Sequence, residues 1–146
     1  NIGLIWSGNF FGPKEPFRSI ELKSFSKLLE LDANYYSFQN EIWDRDKEFF
    51  ISSKIIDYSK KNFSEIIDII QNLDLVISTD TFFLHLSCII NKETWGLIPF
   101  NADWRWYDYY KLNPYKTLKI YKQNNYKNWD SIIQSIQNDL KIKFDI

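Results

Sequence analysis

The stretch Leu73–Leu86, LDLVISTDTFFLHL, decides the fold. An apolar run over Leu75–Ile77 stops at Ser78-Thr79-Asp80-Thr81, and a second apolar segment with helical spacing follows at once. A short apolar run closed by polar turn residues is the pattern of a parallel strand buried on both faces. The spacing therefore predicts a strand, a tight turn and a helix that starts on the turn. The first turn of a helix presents backbone N–H groups without intrahelical acceptors, at the positive end of the macrodipole. In open α/β sheets, ligands lie beyond the carboxyl ends of the strands, where such turns sit. Phosphate or pyrophosphate suits that position.

Working outward, the same alternation repeats. Ile2–Trp6 reads as a buried strand, and Ser7–Phe17 (SGNFFGPKEPF) as a Gly/Pro-rich loop. Ile20, Leu22, Phe25, Leu28 and Leu29 form a helical apolar face with Ser19 as its expected N-cap. Tyr35–Gln39 is the next strand, followed by a charged connection over Glu41–Glu48 and a short strand expected within Phe49–Ile56. Ser64 is expected to cap a helix carrying Ile66, Ile67, Ile69, Ile70 and Leu73. After the central segment, Thr94–Ile98 is a strand stopped by Pro99. Phe100–Tyr115 is a long aromatic loop and Leu118–Tyr121 a last strand. A final helix begins at Asn128 or Asp130, with Trp129, Ile132, Ile133, Ile136 and Leu140 on one face. Strands alternating with helices predict a three-layer, Rossmann-like α/β domain with a parallel sheet, here a single domain over residues 1–146. Right-handed crossovers place the loops at Ser7, Gln39, Thr79 and Pro99 along one edge of that sheet.

Composition narrows the function classes. The 146 residues carry a formal net charge of −1, so no basic field points to nucleic acid. No apolar run is long enough for a membrane span, and no signal peptide is visible. Cys88 is the single cysteine and lies in an apolar run, where it reads as a buried core residue. No intrachain disulfide can form, and a cytoplasmic setting is expected. The chain lacks Met and opens directly into a strand pattern, as if something preceded it. Aromatic residues make up 18% of the chain, and only three arginines occur: Arg18, Arg45 and Arg105.

Several side chains carry chemistry. Asp80 and Thr81 open the central helix, where capping alone accounts for such residues. With a pyrophosphate bound, Thr81 and the first-turn amides donate, while Asp80 orients the turn because a carboxylate repels a phosphate. His85, the one histidine, lies four residues after Thr81 on the same helical face, fit either to donate to a phosphate oxygen or to sit hydrogen-bonded in the core. Arg18 is a phosphate clamp by its bidentate geometry, or a surface residue beside a helix. Ser7, Gly8 and Asn9 bring backbone N–H groups near a ligand or form an ordinary turn. Asp103, Trp104, Arg105 and Trp106 lead into Tyr107, Tyr109 and Tyr110. Their faces suit sugars and bases, with Arg105 expected to stack between the two Trp rings, or the loop anchors to the core or to a neighbouring domain. Glu41, Asp44, Asp46 and Glu48 read as a solvated charged loop. One His and one Cys supply no metal-ligand set, so no metal cofactor is expected.

Six motifs in register carry a resemblance: WSGN at Trp6–Asn9, RSI at Arg18–Ile20, the YSFQ strand, LDLVISTDT…HL at Leu73–Leu86, DWRW at Asp103–Trp106 and NW at Asn128–Trp129. Over nearly its whole length the chain resembles the C-terminal domain of heptosyltransferase-like enzymes (glycosyltransferase family nine), most of all the bacterial versions fused to tetratricopeptide repeats. The resemblance implies half of a glycosyltransferase B fold, the half that holds a nucleotide-sugar donor. Asp80, Thr81 and His85 match the family's D-T-x-x-x-H segment at the donor phosphates. Ser7, Gly8 and Asn9 match its glycine loop, Arg18 the Arg of its R-S-I, and Gln39 the strand end near the nucleotide. Two departures stand out. Gly12 occupies the place of a frequent His, and Phe82 and Phe83 replace small residues after D-T, which predicts a narrowed or blocked phosphate pocket. The acceptor domain, which usually brings the general base, is absent from this sequence.

The expected function is therefore the donor-binding half of an inverting glycosyltransferase, inactive without its N-terminal half, with a nucleotide-sugar as substrate and no metal. The alternatives are a non-catalytic domain that binds protein or glycan through the loop 103–110, and a truncated product with no independent role. Expected partners are the nucleotide-sugar and an acceptor or repeat domain. Surplus aromatic surface also favours self-association, two-fold pairing being the commonest form.

Overall fold

The computed structural model describes residues 1–12, 15–106 and 115–146, with backbone alone at Glu15 and Pro16. Six parallel strands form one sheet: β1 (Ile2–Ile5), β2 (Tyr35–Ser37), β3 (Ile56–Asp57), β4 (Leu75–Thr79), β5 (Thr94–Ile98) and β6 (Leu118–Lys122). Their order is β3-β2-β1-β4-β5-β6, the doubly wound Rossmann order. The strand order reverses beside β1, whose residue Ile2 lies level with Tyr35 of β2 on one side and Leu75 of β4 on the other.

Alternating side chains divide the core into two faces. Ile2, Leu4, Leu75, Ile77, Trp95 and Leu97 point to one face. There they meet a 3₁₀ turn (Leu22–Phe25), the short helix α2 (Ser26–Leu29) and the final helix α6 (Asp130–Phe144). Ile5 and Val76 point to the other face, against α4 (Phe63–Asn72) and Leu86 of α5 (Phe82–Ile89). Ile98 and Leu118 pack with Leu84 and Cys88 of α5 and with Trp106. The expected three-layer α/β arrangement is thus present. Gly96 lets α5 approach β5, since a Cβ there would lie 3.0 Å from Leu84 Cδ1 and 3.1 Å from Leu118 Cδ1.

Local expectations need four corrections. One helical turn, α1 (Glu15–Arg18), closes the segment read as loop. Ser19 is no cap: its Oγ accepts the Gly8 N–H at 3.3 Å, and the following 3₁₀ turn has no side-chain cap. Asn62, not Ser64, caps α4, accepting from the Glu65 N–H while the Glu65 carboxylate accepts from the Asn62 N–H. Finally, the later part of the charged connection and the first half of the window Phe49–Ile56 form one helix, α3 (Asp44–Ser52), and the strand shrinks to the edge pair Ile56–Asp57. Asp44 and Asp46 favour its N-terminus through the helix dipole.

Asp46 is therefore not a solvated charge. It is fully buried, accepting from Trp6 Nε1 at 3.1 Å and from the Leu22 N–H at 2.9 Å. One carboxylate thereby ties the end of β1, the 3₁₀ turn and α3 together. Asp46→Ala leaves two buried donors unpaired and is expected to lower unfolding free energy by about 2–4 kcal/mol in a denaturant titration, with Asp46→Asn costing less. A loss under about 0.5 kcal/mol, the size of an ordinary surface change, contradicts this role.

Candidate functional site

Parallel pairing brings the ends of β1, β2, β4 and β5 to one edge, where two adjoining cavities flank the start of α5. The larger, about 480 Å³, lies at the strand-order reversal. Its walls come from Ser7, Gly8 and Asn9 after β1, Phe38, Gln39, Asn40 and Glu41 after β2, and Thr81, Phe82 and Phe83 at the start of α5, with Arg18 above. The smaller, about 300 Å³, lies on the β5 side of α5 and adds Asp80, His85, Asp103 and Arg105. Arg18, Thr81 and Phe82 line both, so the N-terminus of α5 forms a saddle between them.

The saddle is built from the predicted residues. Thr81 is the N-cap of α5 with extended backbone (φ −130°, ψ 173°). Its side chain makes no capping bond and lies 3.1 Å from Ser78 Oγ. The Leu84 N–H is taken by the Thr81 carbonyl, whereas the Phe82 and Phe83 amides have no acceptor among the described residues. Arg18 Nη1 donates to the Asp80 carbonyl at 2.8 Å, which fixes a guanidinium beside those amides.

The two phenylalanines do not plug the cavity. Phe82 is 59% exposed and leans on Phe63 at 6.0 Å, while Phe83 packs against Phe38 at 5.9 Å. Both rings serve as wall. Across the cavity, Gln39 is committed to structure. Its Oε1 accepts the Trp6 and Ser7 N–H groups at 3.2 and 3.3 Å, and its Nε2 donates to Ser7 Oγ at 2.7 Å and the Glu41 carbonyl at 3.2 Å. Gln39 and Ser7 therefore brace the strand ends. Asn9 closes a turn by accepting the Phe11 N–H at 2.9 Å.

Around the smaller cavity, Asp80 works twice. Its carbonyl holds Arg18, and its carboxylate accepts Trp106 Nε1 at 2.9 Å and lies 3.5 Å from His85 Nε2. Burial opposes its charge, but hydrogen bonds from His85 and Trp106 and the field of Arg105 outweigh burial and hold the carboxyl below the usual carboxylate range. His85 is half-buried, stacked on Trp106 with centroids 5.9 Å apart. Its Nδ1 lies 3.0 Å from the Tyr115 hydroxyl and its Nε2 3.4 Å from Arg105 Nη1. Nε2 thus faces both Arg105, which can only donate, and the Asp80 carboxylate, which can only accept, so its role there follows the tautomer. His85 is thus hydrogen-bonded and lines the smaller cavity.

The expected Trp–Arg–Trp stack is not formed. Trp106 is buried under His85, Trp104 is 74% exposed, and neither lines either of these two cavities. Arg105 instead turns to His85 and Asp103. Tyr107, Tyr109 and Tyr110 lie outside the described residues. Glu41, read in sequence as part of a solvated charged loop, lines the larger cavity just after β2, and its carboxylate accepts the Phe10 N–H at 3.1 Å. Sequence reading missed Asp103 as a cavity residue. Among the described residues, no group of three or more His, Cys, Asp or Glu side chains is placed to hold a metal, and no helix is long and apolar enough to cross a membrane.

In comparisons with known proteins, no family model matches the chain, and no curated protein or solved structure matches it either.

Because its folded value is depressed, Asp80 contributes stability that is complete above its ordinary value of 3.8 and lost as pH falls through the lower folded value. Trp106→Phe removes one donor and raises that folded value. Acid denaturation series should then show a shallower loss of stability below pH 3.8 for the variant. An unchanged acid slope contradicts the assignment.

Proposed function

We propose that this chain is the donor-binding half of an inverting, heptosyltransferase-like glycosyltransferase, holding the diphosphate of a nucleotide-activated sugar. One observation supports this most: at the strand-order reversal, the unpaired amides of Phe82 and Phe83, Thr81 and the fixed Arg18 guanidinium meet at one open saddle. Helix amides and a guanidinium are the groups that offset negative charge building on a leaving diphosphate. The larger cavity, with Phe38 and Phe83 on its wall and Glu41 at its rim, has the size and mixed polarity for a nucleoside. In this reading an acceptor hydroxyl attacks the anomeric carbon from the opposite side. The base that takes its proton comes from an acceptor domain outside this chain.

The surface around the saddle suits closure by another body. The exposed large aromatics among the described residues, Phe10, Phe11, Phe63, Phe82, Phe100, Trp104 and Tyr126, all lie in connections leaving the carboxyl ends of strands. The exposed aliphatic residues Ile51, Ile89 and Ile142 lie in the later turns of helices, and Ile56 on the edge strand β3. That clustering also favours the second reading, a non-catalytic module that docks protein or glycan on this edge.

Titration with UDP, GDP, ADP and CMP, followed by NMR and calorimetry, separates the two. Donor binding predicts shifts at Thr81 and His85, and a loss of roughly tenfold or more in affinity for Arg18→Gln. Phe11→Ala, on the same edge but outside both cavities, should bind unchanged. If no nucleotide perturbs the protein at millimolar concentration, the donor reading fails.

A further inference from the structure

The geometry points to Arg105 as the residue that holds the distal phosphate of a nucleoside diphosphate, making the smaller cavity the place where diphosphate is told from monophosphate. This rests on the donor-binding reading above and assigns it a specificity residue.

The two arginines beside the saddle are held very differently. Arg18 is fixed by a 2.8 Å bond to the Asp80 carbonyl. Arg105 has three contacts, all long: Nε to Asp103 Oδ1 at 3.4 Å, Nη2 to Asp103 Oδ2 at 3.4 Å, and Nη1 to His85 Nε2 at 3.4 Å. Its side chain is 45% exposed. Bonds at that length are near the limit of a hydrogen bond, and an exposed ion pair is worth little. A phosphate oxygen at normal distance is the better acceptor for a guanidinium, whose planar fork meets two oxygens at once. Arg18 is thus the fixed cation and Arg105 the adjustable one, and both line the same 300 Å³ cavity.

Charge is not in excess there. Asp80 and Asp103 balance the two arginines, so directed hydrogen bonds, and not net charge, must select the ligand. The Asp80 carboxylate is already turned to Trp106 and His85, which leaves the cationic groups to meet an anion. A phosphate on the saddle is served by Arg18 and the α5 amides alone. A second phosphate, carried toward β5, is what brings Arg105 into use.

The test compares UDP with UMP, GDP with GMP, ADP with AMP and CDP with CMP by calorimetry on the intact chain. Arg105→Gln is expected to lower affinity for the bound diphosphate by roughly tenfold and to leave the matching monophosphate within about twofold. Arg105→Lys, which keeps charge but not the fork, should fall between. Thermal melting of both variants checks the fold, and Arg105→Lys carries the comparison if Arg105→Gln melts early. Equal loss for both ligands, or none for either, overturns the role of Arg105 and leaves the donor reading standing. If the wild-type chain binds no nucleotide, both fall.

Discussion

The bond from Arg18 to the Asp80 carbonyl is the constraint on which the site depends. It joins the segment after β1 to the turn after β4, across the point where the strand order reverses. The contact spans 62 positions in the chain, so only the closed sheet brings its partners together. A backbone carbonyl holds one end of the guanidinium. A cation is thereby parked beside a helix N-terminus whose first two amides have no acceptor among the described residues.

Two buried side chains keep that geometry. Gln39 spends its amide on the ends of β1 and β2, and Asp46 locks Trp6 and Leu22 behind them. Neither touches the saddle, yet both fix the loops that form its rim. Asp80 does the matching work on the other side, binding Trp106 through its carboxylate while its carbonyl serves Arg18. The result is a frame of buried and part-buried hydrogen bonds, beside which the contacts of Arg105 are all long.

Much of the fold was legible because strands buried on both faces read as apolar runs. Ile2–Ile5, Leu75–Thr79 and Thr94–Ile98 stand out for that reason. Their loops fall on one edge as a direct consequence of parallel pairing, which is why the loops at Ser7, Gln39, Thr79 and Pro99 could be placed together in advance, whereas Arg18 entered only through its clamp chemistry and the RSI motif. α3 was illegible because its apolar face is thin and its charges mimic a loop. Asp46 is buried only because Trp6 and Leu22, 40 and 24 residues away, offer donors. The local pattern likewise could not tell that Trp106 would turn inward onto His85 and Asp80, or that Arg105 would leave the tryptophans for His85 and Asp103. Phe82 and Phe83 looked obstructive in sequence, because nothing there shows that Phe63 and Phe38 draw their rings aside.

A crystal structure of the chain with a nucleoside diphosphate tests the central claim most directly. The account predicts phosphate density across the α5 N-terminus, with oxygens in hydrogen-bond range of the Phe82 and Phe83 amides and of Arg18, and the nucleoside in the cavity bounded by Phe38 and Glu41. Density elsewhere on the molecule, or a saddle left empty at saturating ligand, would contradict it.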